Sequence, residues 1–245
     1  MSRPSSNITY RLGPGAMTPT VRLLLFLNVS LFLLTLLVPS LVLTLGLIPA
    51  AVIQKLWVWQ PVTYMFMHGG LTHILFNMLA LWMFGVELEL TWGTRFFAKY
   101  YFVSGVGAGI STILVSLLPF AFADQMYAAV TVGASGAIYG LLLAYALIYP
   151  HRTIYYIVFP IPARIFVIIV GAISFFSAIS GSGSGVAHLT HLGGIAAGYL
   201  YLVWHRGSGM SQLRSQFLRW RLSRLRKKFE VHDGGRGNNP NRWVH

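Results

Sequence analysis

Long apolar runs, interrupted by proline, glycine and charged residues, are the strongest constraint on the fold of this chain. Of its 245 residues, 56% are hydrophobic and only 9% are charged, so the charges are too few to cover a soluble globule. Several runs are long enough to cross the hydrocarbon core of a bilayer as helices. We therefore predict an all-α fold, a polytopic membrane helix bundle with six transmembrane helices, at about residues 21–38, 71–89, 99–117, 134–149, 164–180 and 186–204.

The distribution of Lys and Arg orients these helices, because cytoplasmic loops accumulate basic residues. An N-terminus inside the cell leaves Lys55 as the basic residue outside, which predicts an N-in, C-in topology. Arg3, Arg11 and Arg22 precede the first apolar run as in a signal peptide, but the run is long and no small-residue cleavage site follows it. We therefore expect an uncleaved first span and a multi-pass protein of the cell membrane, meaning the inner or plasma membrane.

The segments outside the spans differ in character. Residues 1–20 are predicted to form a cytoplasmic tail, residues 21–205 the six-span membrane domain and residues 206–245 a basic cytoplasmic tail. An amphipathic helix at about 210–229 is expected to lie on anionic lipid, and its helical spacing beside a span disfavours nucleic acid as a partner. Prolines and tryptophans predict an interfacial loop between spans one and two, at 39–68. Residues 118–132 contain no Lys or Arg and are predicted to form an external loop.

The turn Gly133-Ala134-Ser135-Gly136 places one hydroxyl where a polar loop ends and an apolar run begins. A serine at the N-terminus of a helix lies beside free backbone N–H groups and the positive end of the helix dipole, both of which favour an oxyanion. Ser135 is therefore a candidate nucleophile. The alternative is packing alone, because Gly136 and Gly140 have the four-residue spacing of close helix contacts in membranes.

Further polar side chains are predicted at the same depth of the bilayer. His68 and His73 lie at the outer end of span two, Asn77 follows His73 by one turn on the same face, and His191 lies about 9 Å into span six. The presence of any one of these side chains in a span is explained by a hydrogen bond between helices. Together with Ser135 they suit acyl transfer, because a hydroxyl, an imidazole base and side-chain donors are its components.

The acidic residues are predicted to lie elsewhere, with Glu87 and Glu89 at the inner end of span two and Asp124 in an external loop. A Ser135–His191 dyad is therefore expected in place of a triad, and the Tyr139 ring, one turn after Ser135, is placed to pack on the imidazole. The absence of cysteine excludes thiolate chemistry and Cys-based metal sites. No cofactor is expected.

Three motifs resemble those of the rhomboid intramembrane serine proteases of the bacterial six-span type, in the order found in that family. They are His68-Gly-Gly-Leu-Thr-His73-Ile-Leu-Phe-Asn77, Gly133-Ala-Ser135-Gly136 with Tyr139, and His191-Leu-Gly-Gly194-Ile-Ala-Ala-Gly198. The resemblance covers about residues 21–205. It implies an endopeptidase that cleaves transmembrane proteins, single-span or polytopic, near the external membrane face.

The resemblance also implies roles for single residues. Ser135 would be the nucleophile and His191 the base, while His73, Asn77 and the Ser135 backbone N–H would face the oxyanion. Glu87 matches a structural glutamate at the end of span two. The family often has Trp-Arg where this chain has Trp59-Gln60.

A second histidine, His188, follows an alanine and also resembles the family's base. We assign the base to His191 because Gly194 and Gly198 then fall at i+3 and i+7, on the face that must approach the Ser135 helix. The resembled family has a proposed gate between spans five and two. Here Phe175 and Phe176, with Phe76 opposite, are the candidates, and the alternative is that these rings face lipid.

Two other functions remain open from the sequence. A metal-binding or transport protein would use His68, His73, His188 and His191, although no carboxylate is predicted at that depth. A non-catalytic relative acting as a membrane chaperone would be expected to lack Ser135 or His191, and both are present.

Overall fold

The fold is described here from a computed structural model, which describes residues 15–119, 121–156, 159–179 and 185–207. The described elements are α1 (Pro19–Leu37), α2 (Leu41–Leu45), α3 (Pro49–Lys55), α4 (Gln60–Thr63), a 3-10 turn (Tyr64–Phe66), α5 (Leu71–Trp92), α6 (Thr94–Val115), α7 (Ala121–Ala128), α8 (Ser135–Ile148), β1 (Thr153–Tyr156), β2 (Phe159–Pro162), α9 (Ala163–Ile179) and α10 (Gly185–Gly207). Most of the 1–20 tail and the predicted amphipathic helix at 210–229 lie outside the described residues.

Each predicted span coincides with one apolar helix. Within the described ranges, α1, α5, α6 and α10 are long and apolar enough to cross a membrane, and α8 and α9 are shorter apolar helices. The chain is thus a mostly helical membrane protein. Six crossings with both termini inside stay predictions. Residues 1–202 form one compact unit, and residues 203–245 form a second, of which the structure describes 203–207.

Secondary structure also occurs where the sequence suggested only loops. The 39–68 segment contains three short helices and the 3-10 turn, and α7 lies within the 118–132 loop. An antiparallel hairpin joins α8 to α9, with Thr153 opposite Pro162 and Tyr156 opposite Phe159. Threonine, isoleucine and tyrosine favour extended backbone, and the prolines of β2 are tolerated because a two-stranded hairpin leaves each strand an edge.

Backbone hydrogen bonds tie the interfacial segment to the chain before α8, and one buried amide ties the parts of the segment to each other. Leu47 and Thr131 exchange two backbone hydrogen bonds, of 2.9 and 2.8 Å. Gln60 is fully buried; its Oε1 accepts from the Ile48 N–H at 2.9 Å, and its Nε2 donates at 3.3 Å to the Leu43 and Thr44 carbonyls. Gln60, which stands where the resembled family often has arginine, thus ties α4 to α2 and α3.

At the far end of α5 from His73, Glu89 closes the N-terminus of α1. Its carboxylate accepts from the Thr18 hydroxyl at 2.5 Å and from the Thr20 and Val21 N–H groups at 3.0 Å each. The Thr94 hydroxyl donates to the same carboxylate at 2.9 Å. Free N–H groups of a first helical turn need such an acceptor. Thr18 and Thr20, which the sequence assigned to the tail, are therefore buried in the bundle.

Replacing Glu89 with alanine is expected to lower the free energy of unfolding by about 3 kcal/mol, because it leaves buried donors of α1 without an acceptor. Thermal unfolding of the purified protein in detergent measures the loss. Glu87→Ala is the matched control on the same helix: Glu87 pairs with the half-exposed Arg152 at 3.1 Å and accepts one hydrogen bond from the Tyr145 hydroxyl at 2.9 Å, so its loss should cost less than that of Glu89. Equal stability of the two variants would contradict the role given to Glu89.

Candidate active site

Ser135 is the first residue of α8, and a tight turn delivers it there. Gly133 has φ +124°, a backbone conformation that side-chain-bearing residues rarely adopt, and its N–H donates to the Tyr64 carbonyl at 2.9 Å. The first helical bond of α8 runs from the Ile138 N–H to the Ala134 carbonyl at 3.0 Å. The N–H groups of Ser135 and Gly136 therefore precede the helical ladder and have no acceptor within it.

His191 on α10 faces this hydroxyl directly. Its Nε2 lies 2.8 Å from Ser135 Oγ, which is hydrogen-bond distance. Its Nδ1 is buried and has no hydrogen-bond partner among the residues that the structure describes. Glu87 is engaged with Arg152 instead, and Glu89 with Thr18. The arrangement is a serine and an imidazole in contact.

The Tyr139 ring covers one face of the imidazole. The two ring centroids are 4.1 Å apart with an angle of 13° between the planes, a stacked arrangement. Tyr139 lies one helical turn after Ser135, so one helix presents both the hydroxyl and the stacking ring to His191. His188 packs edge-on against the other histidine, with centroids 5.8 Å apart and planes at 86°. It is therefore His191, and not His188, that meets Ser135.

Close backbone contact brings α10 to this position. A Cβ added at Gly194 would overlap the carbonyl oxygen of Gly136, so no other residue allows α10 to approach α8 as closely. Gly198 differs from the sequence prediction: a Cβ there would meet the Tyr100 hydroxyl at 2.5 Å and Ser104 Oγ at 3.0 Å, both on α6. The prediction that Gly198 faces the Ser135 helix was wrong: its nearest neighbours belong to α6, against which α10 also packs at Gly193.

His73 lies against the turn before Ser135. A Cβ added at Gly133 would be 2.8 Å from His73 Nε2 and 3.5 Å from Ser135 Oγ, so the ring closes the space beside the hydroxyl. The Gly69 N–H donates to His73 Nδ1 at 3.4 Å. A neutral imidazole that accepts at Nδ1 carries its proton on Nε2. His73 is therefore arranged to donate a hydrogen bond toward the Gly133–Ser135 turn.

Asn77 is buried one turn further along α5. Its Nδ2 donates to the His73 carbonyl at 3.0 Å, and because an amide nitrogen carries two hydrogens, one remains for a ligand. His68 packs edge-on against His73, with ring centroids 5.1 Å apart. Burial lowers the pKa of His68 to about 4, so this ring is neutral at physiological pH and adds no charge beside the site.

The candidate gate residues are exposed on the surface of the protein. Phe175 and Phe176 on α9 are 51% and 65% exposed and pack edge-on against each other, with centroids 5.7 Å apart. Phe76 on α5 is 64% exposed. Exposure suits a lateral gate and lipid contact alike, so the gate stays a prediction.

Sequence reasoning missed two buried hydroxyl contacts at the site. Ser174 on α9 donates to the Tyr139 hydroxyl at 3.0 Å, and the Thr112 and Thr190 hydroxyls lie 2.7 Å apart between α6 and α10. The Thr112 contact gives the hydroxyl of Thr190, the residue before His191, a buried partner. Ser174 carried a weak signal, as a small polar residue within an apolar helix.

Comparison with known proteins identifies relatives. A family model of the Rhomboid domain matches residues 55–207, more than half of the chain. "Rhomboid protein 1, mitochondrial" of Saccharomyces cerevisiae is 29% identical over 160 residues, which cover 62% of this chain and 43% of the yeast protein. "Rhomboid protease GluP" of Bacillus subtilis is 31% identical over 143 residues, 58% of this chain and 25% of that protein.

"Putative rhomboid protease YdcA" of Bacillus subtilis is 36% identical over 87 residues, which cover 36% of this chain and 39% of that protein. The matches therefore span less than half of the length of each of these three relatives.

Proposed function

Because this chain belongs to the rhomboid family, we propose that it is an intramembrane serine endopeptidase that cleaves transmembrane substrate proteins near the external membrane face. The observation that carries the proposal is the 2.8 Å distance between His191 Nε2 and Ser135 Oγ. A serine hydroxyl is a weak nucleophile until an adjacent base accepts its proton, and this contact supplies that base.

In the proposed reaction, Ser135 Oγ attacks the scissile carbonyl carbon while His191 Nε2 takes the hydroxyl proton. The tetrahedral intermediate collapses when the C–N bond breaks and His191 returns the proton to the leaving amine, which leaves an acyl ester on Ser135. Water then attacks the ester with His191 as base, and the carboxylic acid product departs as Ser135 regains its proton. Stacking on Tyr139 holds the imidazole in line for both proton transfers.

The proposed oxyanion site joins α5 to the start of α8. In this proposal His73 Nε2–H, the spare Asn77 Nδ2–H and the Ser135 backbone N–H face the oxyanion; the position of His73 Nε2 beside the Gly133–Ser135 turn supports it. Donors fixed before reaction stabilise a developing negative charge at little reorganisation cost, and they act more strongly where water is excluded. His68 supports the ring of His73 from behind.

Replacing His73 or Asn77 with alanine is expected to lower kcat roughly 10²-fold without abolishing turnover, the scale of losing one oxyanion donor. KM should change little, because the donors act on a charge that develops only in the transition state. Steady-state cleavage of one tagged substrate measures both constants. Asn28→Ala is a matched control, since its buried amide bonds to the Leu24 carbonyl within α1, far along the chain from the site. Unchanged rates in both site variants would remove α5 from the mechanism.

The function itself is tested by incubating the purified full-length protein, reconstituted in vesicles, with a library of tagged single-span membrane proteins. Cleavage at one position near the external end of the substrate span, absent with the Ser135→Ala protein, is the expected result. A membrane segment must unwind to expose its backbone, so small or helix-breaking residues are expected at the cut. No cleavage of any library member by the wild-type protein would count against the proposal.

The metal-binding alternative has less support. Within the described ranges, no group of three or more His, Asp or Glu side chains converges as a metal site would require. A chelator separates the alternatives cheaply, because proteolysis by a serine–histidine pair should be unaffected by EDTA. A chaperone role without catalysis is disfavoured by the presence and contact of Ser135 and His191.

A further inference from the structure

We propose that Ser174 on α9 is a positioning residue for His191, acting through Tyr139; this inference rests on the proposed function. Three contacts in series connect it to the nucleophile. Ser174 Oγ donates to the Tyr139 hydroxyl at 3.0 Å, the Tyr139 ring stacks on His191 at 4.1 Å, and His191 Nε2 lies 2.8 Å from Ser135 Oγ. Ser174 touches no reacting atom, so its effect passes through the tyrosine ring.

His191 needs support of this kind because its other ring nitrogen is not held. In a serine–histidine–aspartate site, a carboxylate bonded to Nδ1 fixes the plane of the imidazole. Here Nδ1 of His191 is buried without a hydrogen-bond partner in the described part of the chain. The stacked face of Tyr139 is then the surface that sets the ring plane. Whatever fixes Tyr139 also fixes the base.

The phenol ring of Tyr139 is held at both ends, and the Ser174 contact supplies the second of them. At one end the ring is attached to α8, and at the other its hydroxyl meets a hydroxyl from a different helix. The hydroxyl oxygen lies on the axis of χ2, so a hydrogen bond there opposes rotation about χ1, which would swing the whole ring away from His191. Removing the bond leaves the ring stacked but free to tilt, and His191 tilts with it.

Ser174 is the inward-facing residue of α9 at this level. It is fully buried, whereas its neighbours Ile173, Phe175 and Phe176 are all more than half exposed. A hydroxyl in an apolar interior is costly unless it is hydrogen-bonded, so a serine here is explained by the bond that it makes. The same bond ties α9 to α8, so displacement of α9 from α8 would release Tyr139. The position of α9 is thereby coupled to the orientation of the base.

The test compares Ser174→Ala, Ser174→Thr, Tyr139→Phe and the double variant Ser174→Ala/Tyr139→Phe in the purified full-length protein. Ser174→Ala is expected to lower kcat, and the rate of labelling Ser135 with a fluorophosphonate, by roughly 5-fold, the scale of one net hydrogen bond, with KM unchanged. Ser174→Thr should restore most of the rate because it keeps the hydroxyl. Tyr139→Phe should lose as much as Ser174→Ala, and the double variant no more than either.

Ser116→Ala is the control, because Ser116 is a buried serine whose hydroxyl donates to the Ile113 carbonyl on α6. A wild-type labelling rate in Ser174→Ala, or losses that multiply in the double variant, would overturn the inference. A fall in the melting temperature with an unchanged labelling rate would mean a merely structural serine and would overturn it too. If the wild-type protein is not labelled at Ser135 at all, the proposed function fails and the inference fails with it.

Discussion

Replacing Ser135 with alanine is expected to abolish proteolysis, lowering kcat/KM by at least roughly 10⁴-fold. The substitution removes the atom that forms the covalent intermediate, and His191 then has no hydroxyl to deprotonate. Little stability should be lost, because the substitution removes the hydrogen bond between Ser135 Oγ and His191 and the alanine side chain fits the first turn of a helix. Cleavage of a tagged single-span substrate, followed with time on gels, measures the effect.

Fluorophosphonate labelling measures the reactivity of Ser135 without a protein substrate. Wild-type protein should be labelled at Ser135, as located by mass spectrometry, and the alanine variant should not be labelled. Ser116→Ala again serves as the control, since it removes a buried hydroxyl outside the site. Labelling or cleavage that survives in Ser135→Ala would show that the nucleophile is another residue.

The helices could be predicted from the sequence because each depends on a local signal. Apolar runs bounded by proline, glycine or charge determine where α5 and α9 begin and end, and the structure agrees within a few residues. The i, i+4 spacing of His73 and Asn77 follows from helix geometry alone. The contact of Ser135 with His191 required in addition that two helices pack face to face, which the glycines at Gly136 and Gly194 indicated.

Other features depend on partners distant in the chain, for which a single sequence has no local signal. Glu89 reaches Thr18 across 71 positions, and Ser174 reaches Tyr139 across 35. In the sequence, Glu89 looks like any polar residue at the end of a span, and Ser174 looks like any small residue that packs between helices. The prediction for Gly198 was wrong for a related reason, because α10 packs against both α6 and α8 and the glycine spacing does not say which of the two helices each glycine meets.

The choice between two histidines is where geometry adds most to the sequence. His188 and His191 lie three residues apart on α10, and each belongs to a sequence pattern that resembles a catalytic base. The structure puts His191 Nε2 at 2.8 Å from Ser135 Oγ and stacks the same ring on Tyr139, whereas His188 packs edge-on against the His191 ring. One ring can exchange a proton with Ser135, and the other lies behind it.

Replacing His191 with alanine is therefore expected to lower kcat/KM by at least roughly 10⁴-fold, as deeply as Ser135→Ala, because the nucleophile loses its base and the leaving amine its acid. The double variant Ser135→Ala/His191→Ala should be no less active than either single variant, since the two residues act as one unit. His188→Ala is the matched control; it removes an imidazole from the same helix and should retain cleavage within about 10-fold, the scale of one lost ring contact. Cleavage of one substrate by all four proteins decides the assignment: loss of activity in His188→Ala with activity kept in His191→Ala would move the base one turn along α10 and contradict the geometry described here.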